Sequence, residues 1–419
     1  MNLQTTYGLR LLGKPRVQRS IFAVFMFVIL GYRLVQFVVW TGQRVWAYDF
    51  SAYWTAARHL LAGQSIYTAD QLAGPYAGQG ALLYLNPPAL AAAVTPLAAW
   101  FPSDPRPANW IWAGLGATIL VASVLALVRS ERLGERFGLL SGRGRWWLVG
   151  AAVAFPPVVD ELVVGNVNLL LLGLMTATWL GVRRGDPAGD RLAGAGVGAA
   201  AVVKIFPGLL LVWFVMARRW RAAAWTIVVA LALLVASVPV TGLRPWLDFP
   251  RALANLSLTS QATDALAPTF WLAPYLGFAL ARILVTLVGL GILVWAARAA
   301  PRDIDGLRLS FAIAVTLSVL MTPALYTSYL TVLVLPLILA LAAGVRRGPL
   351  ALGYLLMWGG QQAALGDAEW IVTRGFPTAG ALLLLALLGD HVARHRERTQ
   401  DRLGHREGDE QQPARAVVR

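Results

Sequence analysis

The chain has no cysteine. Disulfides, cysteine-ligated metals and a thiol nucleophile are therefore excluded, and cysteine usage says nothing about redox compartment. Histidine is scarce: His59 lies in the body of the chain, and His391, His395 and His405 fall in its tail. That distribution offers no histidine cluster for zinc, and no metal site is expected. Lysine is limited to Lys14 and Lys204, although Lys and Arg together number 36. Charge is low overall, with 14% of residues charged, 58% hydrophobic and a mean hydropathy of +0.61. Soluble domains carry about a quarter charged residues. Several apolar runs approach the ~20 residues that span a bilayer. The class these features indicate is an all-α, polytopic integral membrane protein. No Walker, Rossmann or Ser–His–Asp pattern is convincing.

What is present is arginine, and the net charge is +15. A basic balance suits nucleic acid, but these arginines sit between apolar runs, as the positive-inside rule requires. Membrane lipids, and no nucleic acid, are the expected partners. Arg10, Lys14, Arg16 and Arg19 precede a first span at about 20–40, which places the N-terminus in the cytoplasm and residues 41–105 outside, with interfacial helices. No cleavable signal peptide is expected. Three later hairpins begin and end beside arginines and turn at "PPVVDELVVGNVN", "KIFP" and "TPALYTSY". The count is roughly twelve spans over a single transmembrane domain, 1–389, with both termini cytoplasmic. Residues 390–419 form a highly charged tail, expected as disorder or frayed helix.

Assigning sides collects the unusual polar residues on one face. Asp49, Asp160, Glu161, Asn166, Asn168, Lys204, Thr322 and Tyr326 fall near outer ends of spans, together with a loop carrying Arg244, Asp248, Arg251 and Asp264. Asp49 opens "DFSAYWTAARHLL", where it suits either a helix N-cap or a general base. Tyr53, Ala57, Leu60 and Leu61 recur at helical spacing, so this helix is expected to lie along the membrane surface. Lys204 suits snorkelling or, as a compact ammonium, a phosphate site. Arg58 could pair with Asp49, a phosphate or lipid headgroups, and Arg282 lies inside a nominal span. Asp160 and Glu161 are adjacent, a poor spacing for a metal.

The stretch "YDFSAYWTAARHLLAGQSIYT" (Tyr48–Thr68) resembles the signature of glycosyltransferase family 87, which has the GT-C architecture. "YLNPPALAAAVTPLA", "GNVNLLLLGLM", "KIFPGLLLVWF" with "RRWRA", and "TPALYTSYL" follow in the family's order. The resemblance implies a GT-C helical bundle in the inner (cytoplasmic) membrane. It implies transfer of a mannose-like sugar from a polyprenyl-phosphate donor to a glycan or glycolipid hydroxyl on the extracytoplasmic face, with inversion and without a cofactor or metal. Asp49 then matches the proposed base, and Lys204 the lysine of a Lys-x-x-Pro segment. Arg58, Arg282 and Arg251 become candidates for the donor phosphate, and Tyr48, Tyr53, Asn86, Asn166, Asn168, Thr322, Tyr326 and Tyr329 for the substrate cavity. The late motif of the family carries a His that this chain lacks; Tyr326, Thr327, Ser328 and Tyr329 occupy the region. A transporter or flippase of polyprenyl-linked glycolipids and a non-catalytic assembly subunit are the competing readings. Inverted repeats would favour transport, and none is found.

Overall fold

A computed structural model describes residues 15–42, 46–76, 82–257, 266–322, 325–359 and 367–410. Arg10, Lys14, Asp264, Pro323 and the tail beyond Glu410 lie outside the described residues. Among the described residues the regular structure is helical and no strand occurs.

The chain opens with α1 (Pro15–Thr41), α2 (Tyr48–Leu61), α3 (Ala69–Ala73), α4 (Pro88–Trp100) and α5 (Pro105–Ser130). A short α6 (Leu133–Arg136) leads to α7 (Arg145–Ala154), α8 (Pro156–Val164), α9 (Asn168–Arg184) and α10 (Pro187–Val203). Then come α11 (Leu210–Met216), α12 (Trp220–Thr241), α13 (Arg244–Ser257), α14 (Pro268–Leu276) and α15 (Phe278–Ala299). The last elements are α16 (Ile304–Leu320), α17 (Val334–Ala343), α18 (Arg347–Leu356) and α19 (Asp367–Glu410). Proline stands at the first position of α4, α5, α8, α10 and α14, where its missing N–H costs nothing. The side chains of Asp104, Asp186 and Asp303 accept from the first-turn N–H groups of Arg106, Gly189 and Gly306.

Among the described residues, five segments are long and apolar enough to cross a membrane: Ala23–Thr41, Pro105–Ser130, Trp220–Thr241, Phe278–Ala299 and Gly375–Arg398. A sixth crosses if the bent pair Gly142–Ala154 and Pro156–Val164 is one span; the bend is 61°. Its cause is local. Pro156 lacks the N–H that would continue α7, and it holds Phe155 at φ −67, ψ 117, outside the helical region. The bend turns α8 inward, so that Asp160 and Glu161 are both buried.

α16 is buried on all sides from Leu309 to Leu320, as a central helix must be when it is apolar all round. α10 packs against α12 through Gly194 and Gly198. A Cβ on Gly198 would lie 2.6 Å from the Thr226 carbonyl oxygen, so the two backbones touch.

Two arginines near the ends of the hairpins, Arg183 and Arg308, close on one buried acid. Glu131, with no side-chain exposure, accepts from Trp179 Nε1 at 2.8 Å, pairs with Arg183 at 2.9 Å, and lies 2.6 Å from the Arg308 guanidinium. Arg308 is also buried and pairs with Asp305. Three distant segments, at α5, α9 and α16, are thus joined through one carboxylate. Glu131→Ala would leave Arg308 buried without its main counter-charge. We expect a loss of about 3–5 kcal/mol, read as a lower melting temperature of the purified protein in detergent. Nearby, Asp303 caps α16 and meets His395 Nε2 at 2.9 Å, and Asp305 pairs with Arg308.

The apolar face of α2, expected along the membrane surface, is covered by protein. Phe50, Ala52, Tyr53, Ala56 and Ala57 are buried, and α2 packs on α4. Trp54 Nε1 donates to the Phe101 carbonyl at the end of α4, at 2.9 Å. The apolar spacing is real, but its partner is protein. At the other end of the chain, helix rather than disorder carries the charged tail as far as Glu410; an Asp390–Arg394 pair one turn apart supports it.

Candidate active site

The site forms where three chain breaks meet. The first is the entry to α2. Ala47, at φ 61, ψ 26, occupies the N-cap position, and its N–H donates to the Val163 carbonyl at the end of α8. Asp49 is therefore not the N-cap that its sequence position allowed. It lies in the first turn of α2, half-buried, where a carboxylate suits the positive end of the helix.

The second break joins α8 to α9. Gly165 ends α8 at φ 71, a conformation open to glycine. A Cβ there would also lie 2.7 Å from Phe50 Cβ and collide with the Asn109 side chain. This close turn brings Asn166 against Asp49. Asn166 Nδ2 donates to Asp49 Oδ2 at 2.6 Å, and Trp112 Nε1 fixes the turn by donating to the Asn166 carbonyl at 3.0 Å.

The third break is at the end of α10. Lys204 is extended (φ −156, ψ 132) between α10 and the 3-10 turn Phe206–Leu209. Its buried ammonium donates to Asn166 Oδ1 at 3.1 Å and to Asn168 Oδ1 at 3.4 Å. The Tyr329 ring, on the 3-10 turn Thr327–Leu333, lies under the ammonium with its centroid 3.5 Å away. Phe206 stacks on Tyr329 at 5.9 Å.

Glu161 supports this arrangement from below. Its carboxylate accepts from Asn168 N at 2.6 Å, Asn168 Nδ2 at 2.7 Å and Leu169 N at 3.3 Å, so it caps α9 and orients Asn168. Asp160 reaches the other way and accepts from the Ser328 N–H, which ties α8 to the turn that carries Tyr329. The two neighbouring acids do diverge, but each has a defined structural partner. A shallow cleft opens between α5 and the α8–α9 turn, lined in part by Trp112, Leu115, Ile119, Leu162, Glu161 and Asn166.

Of the four candidate cations, the structure brings Lys204 to Asp49. Arg58 lies nine positions after Asp49 on the same helix, half a turn around and about 13 Å along it. It therefore cannot pair with Asp49. Arg251 is exposed on α13, and Arg282 is half-buried in α15. The cavity candidates divide as well. Asn166 and Asn168 hold the charged groups. Tyr53 and Asn86 belong to the wall beside them: Tyr53 packs edge-on against Tyr84, and the Asn86 carbonyl accepts from Tyr67 Oη at 2.8 Å. Tyr326 stands 6.1 Å from Tyr329, ring to ring. Thr322 spends its hydroxyl on the Ser318 carbonyl, and Tyr48 is exposed at the start of α2. Sequence reasoning missed the supporting role of Glu161. The signal for it was Asn-x-Asn directly after the glycine that ends α8, two amides placed to bridge a cation and carboxylates.

Asp49 sits in a competition of effects. Burial pushes its carboxyl above the usual carboxylate range, while the Asn166 hydrogen bond and the Lys204 charge pull it back. Among the described residues no group of three His, Asp or Glu side chains could hold a metal ion.

The arrangement can therefore offer an oriented carboxylate and, one amide away, a buried ammonium. The family model for glycosyltransferase family 87 matches residues 84–323, more than half of the chain. The match includes Asn166, Asn168 and Lys204; Asp49 lies well before its start and Tyr329 just after its end. No curated protein and no solved structure matches the chain. With its membrane-length apolar helices and this family match, the chain belongs to glycosyltransferase family 87 and is a membrane glycosyltransferase.

Proposed function

We propose that the protein moves a sugar from a polyprenyl-phosphate donor to an acceptor hydroxyl on a glycan or glycolipid at the extracytoplasmic face, with inversion at C1. The observation that carries this reading is the Asp49–Asn166–Lys204 bridge, which sets a carboxylate and an ammonium on either side of one side-chain amide. In the reaction, Asp49 takes the hydroxyl proton as the acceptor oxygen attacks C1. The bond from C1 to the phosphate oxygen breaks, and its electron pair leaves with the polyprenyl phosphate. Lys204 stabilises that departing charge. The leaving group is a phosphate monoester that carries its own negative charge, so protein cations can serve without a metal or cofactor.

The same reading takes 1–389 as one GT-C unit of roughly twelve membrane passes in the cytoplasmic membrane, with both termini inside. The helices too short to span, such as Pro88–Trp100 and Phe206–Met216, then line the outer cavity. A mannose-like hexose is the expected sugar.

The test is transfer by the purified full-length protein from a panel of polyprenyl-phosphate sugars, with the product anomer read by NMR. Transfer with inversion supports the proposal; transfer from nucleotide sugars instead, or retention at C1, overturns it.

A pH dependence follows. Asp49 works as a base only when deprotonated, so the rate rises with pH through its pKa and levels above it. Burial raises that pKa from the ~3.9 of an exposed Asp. The acid limb of kcat/KM is therefore expected at higher pH than an exposed aspartate would give. A pH–rate profile with no acid limb above the ordinary carboxylate range would count against Asp49 as base.

A further inference from the structure

The exposed amphipathic helix of this protein is α13. We propose that α13 docks on the bilayer surface at the end of α12, with Leu243 and Leu247 in the interface and Arg244 and Arg251 on the phosphates of anionic lipid headgroups. The proposal does not depend on which reaction the active site performs.

Chain length sets the position of α13. α12 is a membrane-length helix that ends at Thr241, and α13 begins at Arg244. The two intervening residues span at most about 7 Å, so the first turn of α13 lies at the bilayer edge. Body contacts set its rotation. Trp246 Nε1 donates to Ser237 Oγ in the last turns of α12 at 3.1 Å. Phe249 is buried and stacks on Tyr67 at 6.0 Å, and Asn255 Nδ2 donates to the Gln71 carbonyl at 2.9 Å. With Phe249 and Ala252 buried one turn apart, the opposite face is fixed outward.

That outward face is not what water alone would select. Leu243 is 59% exposed and Leu247 70%, one turn apart, and Leu231 and Val235 are likewise exposed on α12. Arg244 and Arg251 flank the leucines at a spacing of two turns, both exposed. Arg244 is held by Asp248 only at 3.6 Å, with 88% of its side chain exposed, so a headgroup phosphate can compete for it. Apolar side chains in the acyl boundary with arginines at phosphate level are the arrangement of an interfacial helix on an anionic surface. The two-residue link to the membrane-length α12 favours lipid over a second protein as the occupant.

The absence of native cysteine makes the test direct. Leu247→Cys in the full chain is labelled with an environment-sensitive fluorophore and reconstituted in phosphatidylcholine nanodiscs, with and without phosphatidylglycerol. The label is expected to be several-fold less quenched by aqueous acrylamide than the free dye–cysteine adduct, and strongly quenched by headgroup spin-labelled lipid. Phosphatidylglycerol is expected to deepen both effects at low salt, and Arg244→Gln with Arg251→Gln to abolish that deepening while the label stays shielded. A label quenched by acrylamide as readily as the free adduct overturns the docking. Shielding without quenching by the spin-labelled lipid also overturns it, since a protein would then cover the stripe. Docking that ignores phosphatidylglycerol in the unsubstituted arginine background overturns the headgroup assignment.

Discussion

Asp49→Asn is expected to reduce sugar transfer by about 10²–10⁴-fold, the usual contribution of a positioned general base. The substitution is close to isosteric. The new amide still offers an oxygen to Asn166 Nδ2, which now approaches Asp49 Oδ2 at 2.6 Å, so the turn after Gly165 and the seat of α2 should survive. What is lost is the capacity to accept the acceptor's proton. Donor affinity should change little, because the donor phosphate is assigned to Lys204. The measurement is a single-turnover rate beside donor binding, in matched detergent with folding checked by melting temperature. A rate within a few-fold of the unsubstituted protein would remove Asp49 as base and would favour a non-catalytic subunit or a transporter.

Lys204→Gln should cost about 10²–10³-fold in kcat, in line with the loss of one group that stabilises developing charge in a closed site. A second, independent consequence comes from electrostatics. The Lys204 charge holds the Asp49 carboxyl down against burial. Without it, Asp49 binds its proton at higher pH, so the acid limb of the residual activity should move upward. A merely structural lysine would lower the amount of folded enzyme and leave the pH profile of the remainder unchanged. The profile therefore separates the two roles. The Tyr329 ring, 3.5 Å from the ammonium, should lose its cation partner at the same time.

Asp49 and Lys204 could be singled out without coordinates because each breaks a local pattern. Asp49 is a carboxylate shortly beyond the first apolar run, and Lys204 interrupts another in a chain whose basic residues after Lys14 are otherwise arginine. Such interruptions are costly in a membrane protein, which makes them legible. Asn166 and Asn168 were visible as polar residues at a turn, but their task was not. An amide is neutral and fits many roles, and only its neighbours decide which. Glu161 was harder still. Next to Asp160 it looks like half of a crowded acidic pair, and its pairing with the first turn of α9 depends on the αL turn at Gly165.

Helix position was misjudged where periodicity alone had to choose a partner. The apolar stripe of α2 was assigned to the membrane surface and is buried against α4, while the segment after Thr241, taken as a polar outer loop, holds the exposed amphipathic helix α13. Spacing shows that a helix has two faces. It does not show whether protein or lipid covers the apolar one, since both are apolar environments. Arginines gave the same difficulty. Arg183 and Arg308 follow the spacing of membrane anchors, yet both close on the buried Glu131, far away in the chain.

By itself the sequence determined that this protein is a helical membrane protein, which residues interrupt its apolar runs, and which family it resembles. Those are properties of composition and order, and lipid enforces them locally through the cost of an unpaired polar group. The tertiary structure alone decided which interruptions meet. Asp49, Asn166 and Lys204 come from three separate breaks in the chain, and Arg58, only nine positions from Asp49, is excluded because a helix turns it away. Proximity across a bundle depends on bends such as the one at Pro156 and on close approaches such as the one at Gly165. Their outcome is a sum over the whole packing, which no short stretch of sequence contains.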